Sequence, residues 1–193
     1  WLHSLIQRAA GRQPGDAPLT FGDLWDAPGH PPERVPLPAG ATRKSIDLQM
    51  FSTNLGHGRP YIFPLAEPSE QGSRFRSRDR LFFSRTELAR YLPPGVLDWM
   101  VRHGRPWQPE PGREARDPTA ADAQALGLLE LPHPRYFPVI LAARMSLSFP
   151  LLFAALPLWA IDHDQVGRAP FRRCWFSDGG ISSNFPMHLF DGL

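Results

Sequence analysis

Proline decides most about what this chain can become. Its 193 residues hold 23 prolines and 16 glycines, together 39 residues, against an average usage nearer 12% for the pair. A proline inside a helix removes a backbone donor and clashes with the preceding turn, so long uninterrupted helices are not available and many short elements joined by loops are expected. Material for a core is present all the same. Hydrophobic residues make up 42%, with 13 Phe and 6 Trp, which excludes wholesale disorder, collagen and a plain coiled coil. The length suits one domain.

Charge and cysteine exclude a little more. The net charge of +2 is too mild to call for a nucleic-acid partner. Of the 21 basic residues only Lys44 is lysine. The single Cys174 has no intrachain partner for a disulfide, so a bridged secreted mini-scaffold is excluded while the compartment stays open. The chain starts at Trp1 and stops at Asp191-Gly192-Leu193 after a hydrophobic stretch, and is read as a piece of a longer polypeptide.

Local patterns predict the elements. Leu2 to Ala10 reads as a helix, and Thr20 before Phe21-Gly22-Asp23 is the signature of a short capped one. Five prolines between Ala27 and Ala41 predict an extended loop. Ser45 to Thr53 alternates apolar and polar residues, as a half-buried strand does, and Arg59 to Leu65 is its returning partner across Asn54-Leu55-Gly56-His57-Gly58. Ser84-Arg85-Thr86-Glu87 is a capping box that should start a helix. A second helix is expected from Pro94 or Gly95, with Gly104 as its C′ terminator, and a third from Asp117 through Leu126. From Phe137 to Ile161 the only charge is Arg144. Pro150 and Pro157 interrupt this stretch, so it reads as a buried helix to about Phe153 and a core strand from about Leu156 rather than a membrane span. Arg172 to Ser177 is a further strand that delivers Asp178 to its end.

The most informative segment is Phe176-Ser177-Asp178-Gly179-Gly180-Ile181-Ser182-Ser183-Asn184-Phe185-Pro186. An acid leaving a strand, with two glycines directly after it, suits catalysis because glycine permits approaches that a Cβ blocks. Asp-Gly-Gly is also a common turn signal, and the residues alone leave both readings open.

This segment resembles the Asp-Gly-Gly motif of the patatin-like phospholipases. Ala142-Ala143-Arg144-Met145-Ser146-Leu147-Ser148-Phe149-Pro150 is similar to the serine-containing helix and proline that precede that motif, and Thr53 to Pro60 is similar to a hairpin of the same domain. The resemblance implies an α/β fold, a patatin-like three-layer hydrolase domain of which residues 1–193 are a single, partial domain lacking the N-terminal nucleophile-bearing part. It implies a lipid acyl hydrolase with a Ser-Asp dyad. Asp178 is then the catalytic base, Gly179 and Gly180 shape its loop, the substrate is an acyl lipid met by peripheral contact with a membrane, and no cofactor or metal is needed. An ordinary carboxylate is a weak base, so such a group works through a short hydrogen bond to its serine in a site drier than water.

One part of the pattern is missing. None of the twelve serines lies in a Gly-x-Ser-x-Gly elbow. The chain therefore supplies the base of a dyad without its nucleophile, which leaves two readings: the elbow precedes Trp1 in the full protein, or the domain is a non-catalytic lipid-binding or interaction module of the same fold. Other motifs carry less. Asp162-His163-Asp164 scatters its ligands around a turn, Arg74, Arg76, Arg78 and Arg80 read as a solvated strip, and Gly56-His57-Gly58 lacks the third glycine of a dinucleotide fingerprint.

Overall fold

The chain begins by docking two short helices through one buried glutamine. In α1 (Leu2–Ala9) Gln7 is fully buried, and its amide donates to the Ala17 carbonyl at 3.0 Å while its oxygen accepts the Leu19 N–H at 2.8 Å. That fixes the approach to α2 (Phe21–Trp25). There Thr20 and Asp23 form the expected capping box, each satisfying a backbone amide of the other. The structure, a computed structural model, describes residues 1–28, 44–65, 80–109, 112–163 and 167–181. The expected proline-rich loop lies almost wholly outside the described residues, as do Arg74, Arg76 and Arg78.

In chain order, the remaining elements are β1 (Met50–Asn54), β2 (Arg59–Phe63), β3 (Leu81–Ser84), α3 (Arg85–Leu88), α4 (Pro94–His103), β4 (Arg105–Pro106), α5 (Ala120–Ala125), β5 (Leu128–Glu130), α6 (Val139–Ser146), β6 (Leu156–Ile161) and β7 (Phe171–Asp178). Tight 3₁₀ turns occupy Pro134–Tyr136 and Gly179–Ile181. The seven strands among the described residues form one sheet in the order β2-β1-β7-β6-β3-β5-β4, antiparallel at every pairing. This is a mixed α/β architecture, the coarse class that the resemblance implied.

One face of the sheet carries the main core. Tyr61, Phe63, Leu81, Phe83, Leu156, Leu158, Cys174 and Phe176 meet α4 and α6 there, with Phe63 stacked on Phe137 at 5.7 Å and edge-on to Phe176 at 5.7 Å. Burying these rings and a leucine-rich set from water is the main stabilising term. On the opposite face a smaller cluster of Phe82, Trp107, Ala123 and Leu128 packs beside Trp159 and Phe171. Toward the β1 side of that second face, Arg173 and Trp175 are exposed.

Several expectations are corrected. The first strand starts at Met50, not Ser45, and Ile46 is exposed; Ser45 and Ile46 instead donate their N–H groups to the carbonyls of Trp25 and Leu24. The predicted capping box at Ser84 does not close. Ser84 makes no side-chain cap bond, and the Glu87 carboxylate that would complete the box bonds elsewhere, accepting the Trp159 indole N–H at 2.7 Å and pairing with Arg173. Gly104 does end α4 as expected, at φ −72°, so left-handed geometry is not its reason. Space is: a Cβ there would lie 2.9 Å from the Met100 carbonyl oxygen and 3.1 Å from that of Glu130. The helix expected to reach Phe153 stops at Ser146, and residues 149–153 form an exposed turn in place of the buried helical end.

Candidate functional site

The sheet order brings together parts of the chain that are 125 residues apart. Strand β7 inserts between β1 and β6, setting Ser52 opposite Asp178, Thr53 opposite Ser177 and Asn54 opposite Phe176. As expected, Asp178 is the last residue of its strand. Its flanks are tied from two sides. Ser52 Oγ donates to the Ser177 carbonyl at 2.7 Å, and Thr53 Oγ1 donates to the Asp178 carbonyl at 2.8 Å. From the other side, the carbonyl of Ser148 accepts both the Ser177 hydroxyl at 2.8 Å and the Asp178 N–H at 3.2 Å.

Ser148 is in turn held by the end of α6. Arg144 donates to its hydroxyl at 2.7 Å, and that hydroxyl donates back to the Arg144 carbonyl at 2.7 Å. A second guanidinium nitrogen reaches the Ala154 carbonyl at 3.1 Å. Burial lowers the Arg144 pKa, with the Tyr91 phenol opposing it, yet a guanidinium keeps its charge in a protein. Ser52, Ser148 and Ser177 are all buried. Each uses its hydroxyl to build the loop rather than to meet the Asp178 carboxylate.

The carboxylate itself is half-buried. Among the described residues its partner is its own loop, where Oδ2 accepts the Gly180 N–H at 3.1 Å. Gly179 makes this turn reachable, since a Cβ on it would fall 2.6 Å from the Phe51 carbonyl oxygen. The three residues singled out from sequence thus share one feature: a rigid turn that holds a carboxylate at a strand end with no serine hydroxyl against it among the described residues. What the sequence reading missed is the support. Ser52 and Thr53 were assigned only to a strand, and nothing local marks a hydroxyl that will bond a carbonyl 125 residues later.

Other sequence motifs sit elsewhere. Asp162 pairs with Arg172 at 3.0 Å, His163 faces buried Asp117 at 3.8 Å, and Asp164 lies outside the described residues. The Gly56-His57-Gly58 segment is the β1–β2 turn, locked by Asn54 Oδ1, which accepts the Gly56 and His57 N–H groups. His57 Nε2 also comes within 3.8 Å of the buried Cys174 thiol. Arg80 makes a two-point contact with Glu130 at 2.6 and 2.7 Å. No described helix is long and apolar enough to cross a membrane. A cavity of about 270 Å³ lined by Arg113, Arg116, His163, Gly167 and Ala169 opens at the β6–β7 connection. Strand β7 runs from there to Asp178, a span of about 23 Å at the usual rise per residue.

Comparison with known proteins adds one relative. The chain is similar to a protein named RpoH suppressor from Rhizobium meliloti (strain 1021), 34% identical over 230 residues, covering 99% of this chain and 31% of the relative. The chain therefore spans about a third of the length of the curated relative it matches. No family model and no solved structure matches it.

Proposed function

We propose that this chain is the aspartate-bearing part of a patatin-like lipid acyl hydrolase, with Asp178 as the general base of a Ser-Asp dyad. The finer architecture, a three-layer hydrolase domain, belongs to the same proposal. The observation that carries it is the pinning of Asp178: hydroxyls from β1, a carbonyl from the end of α6 and a glycine pressed against Phe51 hold one half-exposed carboxylate at a strand end. A turn that served only to reverse the chain would not need support from two distant elements, whereas a base must be held within hydrogen-bond reach of its target proton. The length of the R. meliloti relative is in keeping with a nucleophile supplied from outside these residues.

The chemistry then balances around one carboxylate. The serine oxygen attacks the ester carbonyl carbon as its proton passes to Asp178. The tetrahedral oxyanion collapses, the acyl carbon–alkoxy bond breaks, and the leaving alcohol takes that proton from Asp178. Water attacks the acyl-serine with Asp178 again as base, the acid departs, and the proton returns to the serine. No cofactor takes part. The substrate is an acyl lipid, approached by peripheral contact with a membrane.

The test uses the full-length protein that carries this chain. It should label with a fluorophosphonate at a serine outside residues 1–193, and Asp178→Asn should abolish ester hydrolysis while leaving the melting temperature within about 2 °C of the parent, since a half-exposed isosteric change touches little packing. Full activity in that variant overturns the assignment. Absence of any labelled serine favours the second reading, a lipid-binding or interaction module of the same fold.

A further inference from the structure

Between α6 and β6 the chain exposes an apolar run. Leu147, Phe149, Leu151, Leu152 and Phe153 are all open to solvent, Leu151 completely and Leu152 at 72%. A stretch of exposed apolar side chains this dense is uncommon on a soluble surface and marks a docking site. Leu151 adds a second observation. It sits at φ 76°, the one left-handed non-glycine residue among those described. Glycine or asparagine suits such a turn, and a leucine occupies it only at a cost. Wholly exposed, Leu151 gains no burial in this fold to offset that cost.

We propose that residues 147–153 form a membrane-docking loop that inserts its leucine and phenylalanine side chains into a lipid surface and so sets Asp178 at the interface. The choice of lipid as occupant rests on the hydrolase reading above, and three features of the surface fit it. No charge occurs from Met145 to Ile161, so nothing on the loop resists entry into acyl chains. Arg144 stands at its base with its guanidinium 5.1 Å from the Phe153 ring, donating to Ser148 Oγ and to the Ala154 carbonyl. A cation at the root of an apolar wedge matches the phosphate layer above the acyl chains. Trp175 is also exposed, and it shares a face of β7 with Ser177, whose hydroxyl bonds the Ser148 carbonyl at the root of the loop. Tryptophan favours the same interfacial depth.

The attachment to the site is direct. The Ser148 carbonyl that roots the loop accepts the Asp178 N–H, and Ile181, three residues after Asp178 in the chain, is also exposed. Exposed apolar side chains therefore lie on the two chain segments that adjoin the Asp178 turn. A loop inserted to the usual interfacial depth of about 5–10 Å would bring the ester region of a lipid toward Asp178 rather than require the lipid to leave its bilayer.

The experiment places an environment-sensitive fluorophore on Leu151→Cys in the full-length protein, with any exposed native cysteine first replaced, and adds vesicles of phosphatidylcholine with or without phosphatidylglycerol. The label should be accessible to iodide in buffer, then shift to the blue and lose that access on vesicles, more strongly with the anionic lipid. In co-sedimentation, the double variant Leu151→Glu, Leu152→Glu should lower vesicle partition by about 100-fold, the loss expected for withdrawing two leucines from an apolar phase. A label that is already shielded in buffer shows that another part of the polypeptide covers the loop, and overturns the proposal. So does a label indifferent to vesicles. Both readouts ignore turnover. Vesicle insertion in a protein that hydrolyses no ester would retain the docking loop and remove the hydrolase, and ester hydrolysis with a vesicle-blind label would do the reverse.

Discussion

A methyl group on Gly179 would sit 2.6 Å from the carbonyl oxygen of Phe51 and 2.7 Å from its Cβ. Both are parts of β1 or its immediate frame, so neither can swing aside as the end of a long side chain would. Gly179→Ala therefore forces β1 and the Asp178 turn apart. The expected loss is about 1–3 kcal/mol of stability, the range for overpacking a tight interior, together with a displaced Asp178. Urea denaturation of the variant checks the first, and ester turnover in the full-length protein checks the second. A variant as stable as the parent would show that the contact yields.

The Asp178 turn was legible in sequence because its signals are local: a short strand, an acid, two glycines. Its support was not. Ser52, Thr53 and Ser148 act through bonds that exist only once β7 has entered the sheet between β1 and β6, and no short-range pattern announces that insertion. Strand β3 was missed for a related reason. Leu81-Phe82-Phe83-Ser84 is buried on both faces, so it lacks the alternation that marks a half-exposed strand. Residues 147–153 misled in the opposite direction. Their apolar character reads as core, and composition alone does not distinguish a leucine buried by its own fold from one held out for something else.

The two predicted capping boxes now separate. Thr20 and Asp23 close theirs, with the Asp23 N–H on Thr20 Oγ1 at 3.2 Å and the Thr20 N–H on Asp23 Oδ2 at 2.8 Å, whereas Ser84 makes no cap bond. Thr20→Ala should cost about 1 kcal/mol, the usual value of a lost cap. Ser84→Ala should cost less than that, because its hydroxyl caps nothing. Matched chemical denaturation of the two variants decides it. Equal losses would mean that sequence spacing alone is enough to predict the cap.

Glu87, the other half of the second box, bonds elsewhere. Its carboxylate accepts the Trp159 indole N–H and pairs with Arg173, joining α3 to β6 and β7. Glu87→Ala leaves a half-buried indole donor and should destabilise the protein by about 1–2 kcal/mol. Glu87→Gln retains an acceptor for the indole and should lose less than about 1 kcal/mol, because the pair with Arg173 is partly solvated. The comparison is made by urea denaturation monitored through tryptophan fluorescence. If the glutamine variant falls as far as the alanine variant, the charge pair outweighs the indole bond.

Acid should act on the α2 cap. Burial alone would raise the Asp23 carboxyl, but the hydroxyl and N–H of Thr20 and the guanidinium of Arg12 outweigh it and leave its pKa below the ordinary carboxylate value. A group whose folded pKa is depressed adds stability that is present above its unfolded pKa, about 3.9, and is lost as pH falls through the lower folded value. Asp23→Asn removes that dependence while keeping one acceptor oxygen for Thr20. Its stability should therefore lie below the parent's at pH 6 and approach it as the pH drops below about 4, where the parent carboxylate begins to take up its proton. Denaturation midpoints of the two proteins across that window measure the difference. A constant gap between them from about pH 6 to about pH 3 would place the effect of Asp23 in hydrogen-bond geometry, with no contribution from its charge.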